Sequence, residues 1–304
     1  MAAETAAAPP RPIEAVRPPR PGRWLGAAAA AVFLVWVAYT IIVNPNLHWD
    51  IVVGNQFDHR ILGGLWVTIQ LTVVSMAIGI ALGMLAAVMQ LSDNRLLRTA
   101  SALYTWFFRG TPLLVQLIFW YNFALVFPQI GIGVPFGGPK IIEWQTNALI
   151  TPFVAGLLGL TINEGAYMAE IVRAGIGAVA PGQREAAQAL GMTHGQVLRR
   201  VVLPQAMRVI IPPTGNQFIS MLKTTSMVSV IAGADLLTIA QHIYLGNFEV
   251  IALLMVASIW YLVLTTVASV GQHFLERRFN RDRGGGLARR VGRDLLPFTR
   301  GAAG

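Results

Sequence analysis

An all-α polytopic membrane protein is the fold class this sequence predicts, and three observations predict it. Of 304 residues, 55% are hydrophobic and 12% charged, and the mean hydropathy is +0.57, well beyond what a soluble domain carries. Six apolar runs, residues 24–43, 62–89, 101–127, 149–172, 216–240 and 249–270, are each long enough to cross about 30 Å of hydrocarbon as helices. The arginines fall in alternate connections between those runs.

The first run has an apolar core too long for a cleaved leader and no small-residue cleavage site after it, so it reads as an extra N-terminal anchor. In the second, Gly79 and Gly83 form a GxxxG spacing that predicts close helix packing, with a gating hinge as the rarer use. The third holds Arg109. Its Trp106, Trp120 and Tyr121 share no face and read as core or interface anchors rather than as an aromatic cage. The connection "PQIGIGVPFGGPKIIEWQT", residues 128–146, is full of turn formers and is a candidate docking surface on the outer side. The fourth run carries Glu164 and, near its end, Glu170 and Arg173 at the spacing of a local helix pair. The fifth carries Lys223, and the sixth closes the set.

Orientation follows from the arginines. Arg11, Arg17, Arg20 and Arg23 precede the first run, Arg95 and Arg98 follow the second, and Arg173, Arg184, Arg199, Arg200 and Arg208 follow the fourth. Arg277, Arg278, Arg281, Arg283, Arg289, Arg290, Arg293 and Arg300 follow the sixth. With six crossings all of these lie on one side, and only Arg60 and Lys140 on the other, so both termini are expected in the cytoplasm. This sorting accounts for the net charge of +9 without a nucleic-acid partner. Residues 1–23, rich in Ala, Pro and Arg, and 280–304, rich in Arg and Gly, are expected to be disordered cytoplasmic tails that touch anionic headgroups of the bilayer. The absence of cysteine excludes disulfides, thiolate metal sites and cysteine nucleophiles. The five histidines show no helical ligand spacing, so no metal site is expected.

One connection is unlike the rest: "PGQREAAQALGMTHGQVLRRVVLPQA", residues 181–206. It reads as two short helices. Pro181 suits a first helical position, Glu185 favours the positive end of the dipole, and Gly191 supplies the left-handed residue that stops the first helix. Thr193 with Gln196 three residues later is a capping box that opens the second, which is expected to end at Pro204. Ala186, Ala187 and Ala189 give the elbow a small-residue surface suited to packing against another protein.

Glu185, Ala186 and Ala187, then Gly191, then Leu203 and Pro204 reproduce the EAA motif, so the segment resembles the permease subunits of bacterial ABC importers. "FRGTPLLVQL" (residues 108–117), "EGAYMAEIVRAGI" (164–176) and "LKTTSMVSVI" (222–231) are similar to the permeases for polar amino acids, the histidine, glutamine, glutamate and arginine uptake group. The resemblance covers roughly residues 62–279 and implies an ABC importer type I permease core over 62–272. It implies that the coupling loop, 177–212, sits in a cleft of a cytoplasmic ABC ATPase dimer, with Glu185, Ala186, Ala187, Ala189, Leu190, Gly191, Leu203 and Pro204 at the contact. It further implies a second permease subunit, with a homodimer preferred over a heterodimer, and an extracytoplasmic amino-acid-binding protein. The expected location is the bacterial cytoplasmic (inner) membrane. On this reading the chain is no enzyme and binds no cofactor, while ATP and Mg belong to the partner ATPase.

The residues agree that the energy source lies elsewhere. In "LKTTS", Leu222 stands where a phosphate-binding loop requires glycine. Arg109, Glu164 and Lys223 lie within apolar runs, where an isolated charge costs about 2.5 kcal/mol or more, and each is roughly 10–13 Å from the inner boundary by helical rise. Two readings stay open. A guanidinium and a carboxylate at one depth match the backbone end of a free amino acid, with Thr111, Gln116, Asn163 and Tyr167 as further pathway lining. Alternatively, Arg109 with Glu164, or Glu164 with Lys223, is a buried ion pair that fixes helix packing. An ion-coupled secondary amino acid transporter or channel is the alternative function, but the two halves show no internal repeat. A membrane-embedded hydrolase lacks a histidine inside the confident runs.

Overall fold

The computed structural model of the protein describes residues 21–133 and 140–294, with side chains over 26–132 and 142–279. The chain divides into two units at Trp49 and Asp50. The first contains α1 (Pro21–Ile42) and one 3-10 turn, Pro45–Leu47. Alanine, the best helix former, fills its early turns, and nearly all its described side chains are exposed. Such a helix is apolar all round and suits hydrocarbon.

In the second unit, α2 (Trp49–Asn55) leads to α3 (His59–Gln90). Asp58 caps α3 by accepting the Arg60 N–H at 2.8 Å. The Arg60 guanidinium bonds to the same carboxylate and, with that backbone bond, holds it down at about 2. At the centre, α3 lies against α8 (Pro152–Gly177). A Cβ at Gly79 would stand 3.0 Å from Glu164 Cγ, and one at Gly83 would collide with Met168 Cβ. The GxxxG spacing therefore serves close packing.

The third apolar run is not one helix. It divides into α4 (Arg95–Gly110), α5 (Leu113–Tyr121) and α6 (Phe123–Val126). Pro112 biases the residue before it away from helix, and Thr111 is extended at φ −104°, ψ 142°. Pro112 also lacks the N–H that the Phe108 carbonyl needs. Asn163 Nδ2 at 2.8 Å and Gln116 Nε2 at 3.0 Å donate to that carbonyl instead, as a helix broken within an apolar layer requires.

The following connection contains an antiparallel hairpin, β1 (Gln129–Gly133) and β2 (Lys140–Gln145), where only turns were expected. Apolar Ile130 and Ile132 alternate with Gly131, whose missing side chain admits the Ile142 carbonyl. The short α7 (Thr146–Leu149) then leads to Thr151, the cap of α8.

Beyond α8 come α9 (Pro181–Ala189), α10 (His194–Val197) and α11 (Leu203–Thr224). Pro204 does not end the second elbow helix as the sequence suggested. A π turn, Leu198–Val202, bridges α10 to α11 by donating the Leu203 N–H to the Leu198 carbonyl, and this register accommodates Pro204 in the first turn of α11.

The fifth run is also broken. A 3-10 segment, Thr225–Ile231, extends α11, and α12 (Leu236–Asn247) follows at a 47° bend. Ala232 and Ala234 turn left-handed at φ 55° and 58°. Fully buried Asp235 restarts the helix by accepting the Leu237 N–H at 3.1 Å and the Thr238 hydroxyl, while Thr68 Oγ1 accepts the Leu236 N–H at 3.0 Å. Asp235 is thus a further acid within an apolar run, and the sequence reading overlooked it. α13 (Val250–Asp294) continues past residue 280, through part of the segment read as a disordered tail. Its arginines form helix well, and no proline intervenes before Pro297. The rest of that tail, and residues 1–20 of the other, lie outside the described residues.

Three described helices are long and apolar enough to cross a membrane, and the bent pair adds a fourth. At 26 residues, α8 spans about 39 Å, but Glu164, Glu170 and Arg173 interrupt its apolarity. Two buried clusters among the described residues bear on the site. One joins Leu71 and Met76 of α3 to Leu117, Leu160, Met221 and Val228. The other joins Met168 and Val172 of α8 to Ala187, Val197, Val202, Ala206 and Ile210.

Candidate functional site

Where α5, α8 and α11 meet, a cleft of about 290 Å³ opens. Leu113, Leu160, Met221 and Met227 form its apolar wall, and Asn163, Glu164, Tyr167, Gln217, Ser220 and Thr224 its polar one. Glu164 is 5% exposed, and its two carboxyl oxygens each lie 3.4 Å from Gln217 Nε2. No lysine, arginine or histidine among the described residues forms an ion pair with it. Neither proposed pair, Arg109 with Glu164 or Glu164 with Lys223, is therefore present. Gly79 of α3 gives the Glu164 side chain room from behind.

Arg109 ends α4 at the break and turns elsewhere. Its guanidinium lies 5.4 Å from the centre of the Tyr167 ring and 3.8 Å from Glu170 Oε2, a position suited to cation–π attraction. Glu170 also accepts from Arg173 at 2.6 Å, the local pair that the spacing predicted. Thr111 and Gln116 lie outside the cleft lining, where Gln116 Nε2 donates to Thr111 Oγ1 at 2.8 Å and helps close the break. Asn163 serves both places, since it lines the cleft and donates to the Phe108 carbonyl. Lys223 is exposed in the last turn of α11, beside the cleft residue Thr224 but not in the lining. Gln217, Ser220 and Thr224 went unread in the sequence. Their near-helical spacing within an apolar run was the available signal.

The elbow is shaped largely by its own backbone. Leu190 caps α9 and Gly191 follows at φ +77°. The Gly191 N–H donates to the Gln188 carbonyl at 2.9 Å and the Met192 N–H to the Ala187 carbonyl at 3.2 Å, the paired bonds of a Schellman stop. The Thr193 N–H donates to Gln196 Oε1 at 2.9 Å, one limb of the capping box. Ala187 turns inward to the core, so the three alanines do not share one surface. Glu185, Ala186, Ala189, Leu203 and Pro204 face outward, and Leu190 at the tip is 83% exposed.

Comparisons with known proteins agree with this architecture. The family described as "Binding-protein-dependent transport system inner membrane component" matches residues 79–281. The arginine transport system permease protein ArgU of Corynebacterium glutamicum is 44% identical over 273 residues, covering 90% of this chain and 84% of that protein. The L-cystine transport system permease protein TcyB of Bacillus subtilis is 38% identical over 242 residues, covering 79% and 95%. Among solved structures, one described as an amino acid ABC transporter with histidines superposes with a TM-score of 0.62 at 38% identity, over 72% of this chain and 94% of that one. The MetNI methionine transporter, at 21% identity and a TM-score of 0.56, shares the fold. The chain therefore belongs to the family of binding-protein-dependent transport system inner membrane components, as a multi-pass permease subunit of an amino acid ABC importer and not itself an enzyme.

Proposed function

We propose that this permease carries a cationic amino acid through the Glu164 cleft and takes its energy from a cytoplasmic ATPase seated on the elbow. The observation that carries the substrate reading is the Glu164 carboxyl, nearly buried and without a cationic partner among the described residues. A substrate ammonium or guanidinium supplies the missing countercharge, with Tyr167, Asn163, Gln217 and Ser220 as polar surroundings. The 44% identity to a permease named for arginine supports the same class. Lys223, exposed beside the lining, is suited to the substrate carboxylate, and Arg109 lies over the ring of the lining residue Tyr167. Thr111 and Gln116 shape the pathway by satisfying the backbone groups freed at the helix break.

For coupling, Glu185, Ala186, Ala189, Leu190, Gly191, Leu203 and Pro204 form the ATPase contact, and Ala187 anchors it from within. The ATPase dimer holds ATP and Mg, an extracytoplasmic binding protein delivers the amino acid, and a second copy of this chain completes the pathway. The core, 62–272, crosses the membrane five times, and the anchor at 24–43 adds a sixth crossing, which leaves both termini cytoplasmic. ATP binding draws the ATPases together, tilts the helices behind the elbow, and turns the cleft from one side of the membrane to the other.

The test is uptake by Glu164→Gln in proteoliposomes holding the full complex. Loss of one charge-assisted contact predicts a fall of about tenfold or more in the uptake of a basic amino acid, with ATPase association intact. Unchanged uptake kinetics would sink the substrate site.

A further inference from the structure

We infer that Arg184 is a positioning residue, a strut across the joint between α8 and α9 that makes the elbow and the cleft-bearing helix move as one lever. The inference rests on the coupling reading above. α8 ends at Gly177 and α9 begins at Pro181, so Ala178, Val179 and Ala180 are the whole covalent link. The link bonds back to α8 through the Ala178 N–H to the Ala174 carbonyl and the Val179 N–H to the Ile176 carbonyl, which leaves the orientation of α9 itself to side chains. Arg184 supplies one such hold, because its Nη2 donates to the Ile176 carbonyl at 2.5 Å. That carbonyl lies in the last turn of α8, where unpaired acceptors and the negative end of the dipole favour a cation.

Two features separate this contact from an ordinary surface arginine. Its Nε is buried without a hydrogen-bond partner, and among the described residues no carboxylate pairs with the guanidinium. A partly desolvated cation with a single bond contributes little to folding. What it fixes is an angle. On the same joint, Ala187 belongs to the apolar cluster that also holds Val172 and Met168 of α8, so a polar bond and a shared apolar cluster both tie α9 to α8. Ile176 and Glu164 are both on α8, twelve residues apart, or about 18 Å along its axis. A push at Leu190 on such a lever reaches the cleft as rotation of α8, whereas a loose joint absorbs it.

The experiment measures ATP hydrolysed per amino acid imported in proteoliposomes with the permease, its ATPase and its binding protein. Arg184→Ala is expected to raise that ratio about fivefold or more while the ATPase still co-purifies. Arg184→Lys, whose ammonium still donates to a carbonyl, restores most of the coupling. A wild-type ratio in Arg184→Ala overturns the strut. Leu190→Asp separates the two readings: if the tip variant uncouples and Arg184→Ala does not, only the strut is wrong. If the tip variant also leaves association and ratio unchanged, the coupling reading itself has failed. Should Arg184→Ala not assemble, spin labels on Ala174→Cys and Gln188→Cys in the permease alone decide, since the chain has no native cysteine. The strut requires a broader distance distribution without Arg184, and equal widths overturn it.

Discussion

In the elbow, the hydrogen bonds that set the shape join groups no more than eight residues apart. The cleft, by contrast, takes its walls from α5, α8 and α11 and its back from Gly79 of α3. A device built from neighbours keeps its shape wherever the chain carries it, and its failures stay local. A site built from distant helices depends on every contact that sets their spacing. Substitutions far from Glu164 are therefore expected to reach it, while the turns and caps of the elbow respond mainly to changes within the elbow.

The largest expected effect lies at the tip. Gly191 stands at φ +77°, and a Cβ added there would meet nothing within 4 Å, so its role is conformational and not a matter of space. Gly191→Val places a β-branched residue in a region such residues scarcely enter, and binding-protein-stimulated ATP hydrolysis is expected to fall by about tenfold or more as the Schellman turn opens. Gly191→Asn, which tolerates the left-handed region, retains most of the activity. Equal loss in both variants would mean that the glycine surface, not the turn, is what the ATPase needs.

Next in size is the cleft's dependence on distant packing. A Cβ at Gly83 would collide with Met168 Cβ and stand 2.9 Å from the Ala169 N, and backbone cannot move aside cheaply. Gly83→Val is expected to cost about 1–3 kcal/mol and to weaken substrate binding by spreading α3 from α8, one turn from Glu164. Thermal unfolding and substrate affinity in detergent measure both. A variant that unfolds earlier yet binds normally would show that the cleft is less dependent on distant contacts than its construction implies.

The same contrast explains what could be read in advance. Gly191, Thr193 with Gln196, and Pro181 carry their conformations in their own chemistry, and the elbow helices began and stopped where those residues stood. Long apolar runs likewise gave α1, α3 and α13. The breaks were harder. Pro112 was visible as a residue, but its effect depends on whether anything else satisfies the Phe108 carbonyl, and Asn163, 55 positions away, does so. Pro204 looked like a stop and is instead absorbed by the π turn before it. Charge partners were hardest of all: Arg109 and Glu164 fell at similar depth on straight helices, yet the bend at Thr111 sends Arg109 toward Tyr167 and Glu170. Depth along a chain fixes a side chain's height in a membrane, not the face on which it stands.

The smallest expected effect tests whether failures of the elbow remain within it. Thr193→Ala removes the hydroxyl limb of the capping box and leaves Gln196 to bond the backbone of residue 193 alone. The loss is about 1 kcal/mol, the usual size for such a cap, confined to α10 and the π turn after it. Hydrogen exchange is expected to quicken over residues 193–202 while protection across α3 and α8 stays unchanged, and substrate affinity at the cleft should not move. If affinity does fall, a cap at the far end of the lever has reached Glu164, and the elbow is energetically continuous with the cleft through the Ala187, Val172 and Met168 cluster. The separation between local device and distributed site would then be one of hydrogen bonding only, with the apolar core joining what the backbone keeps apart.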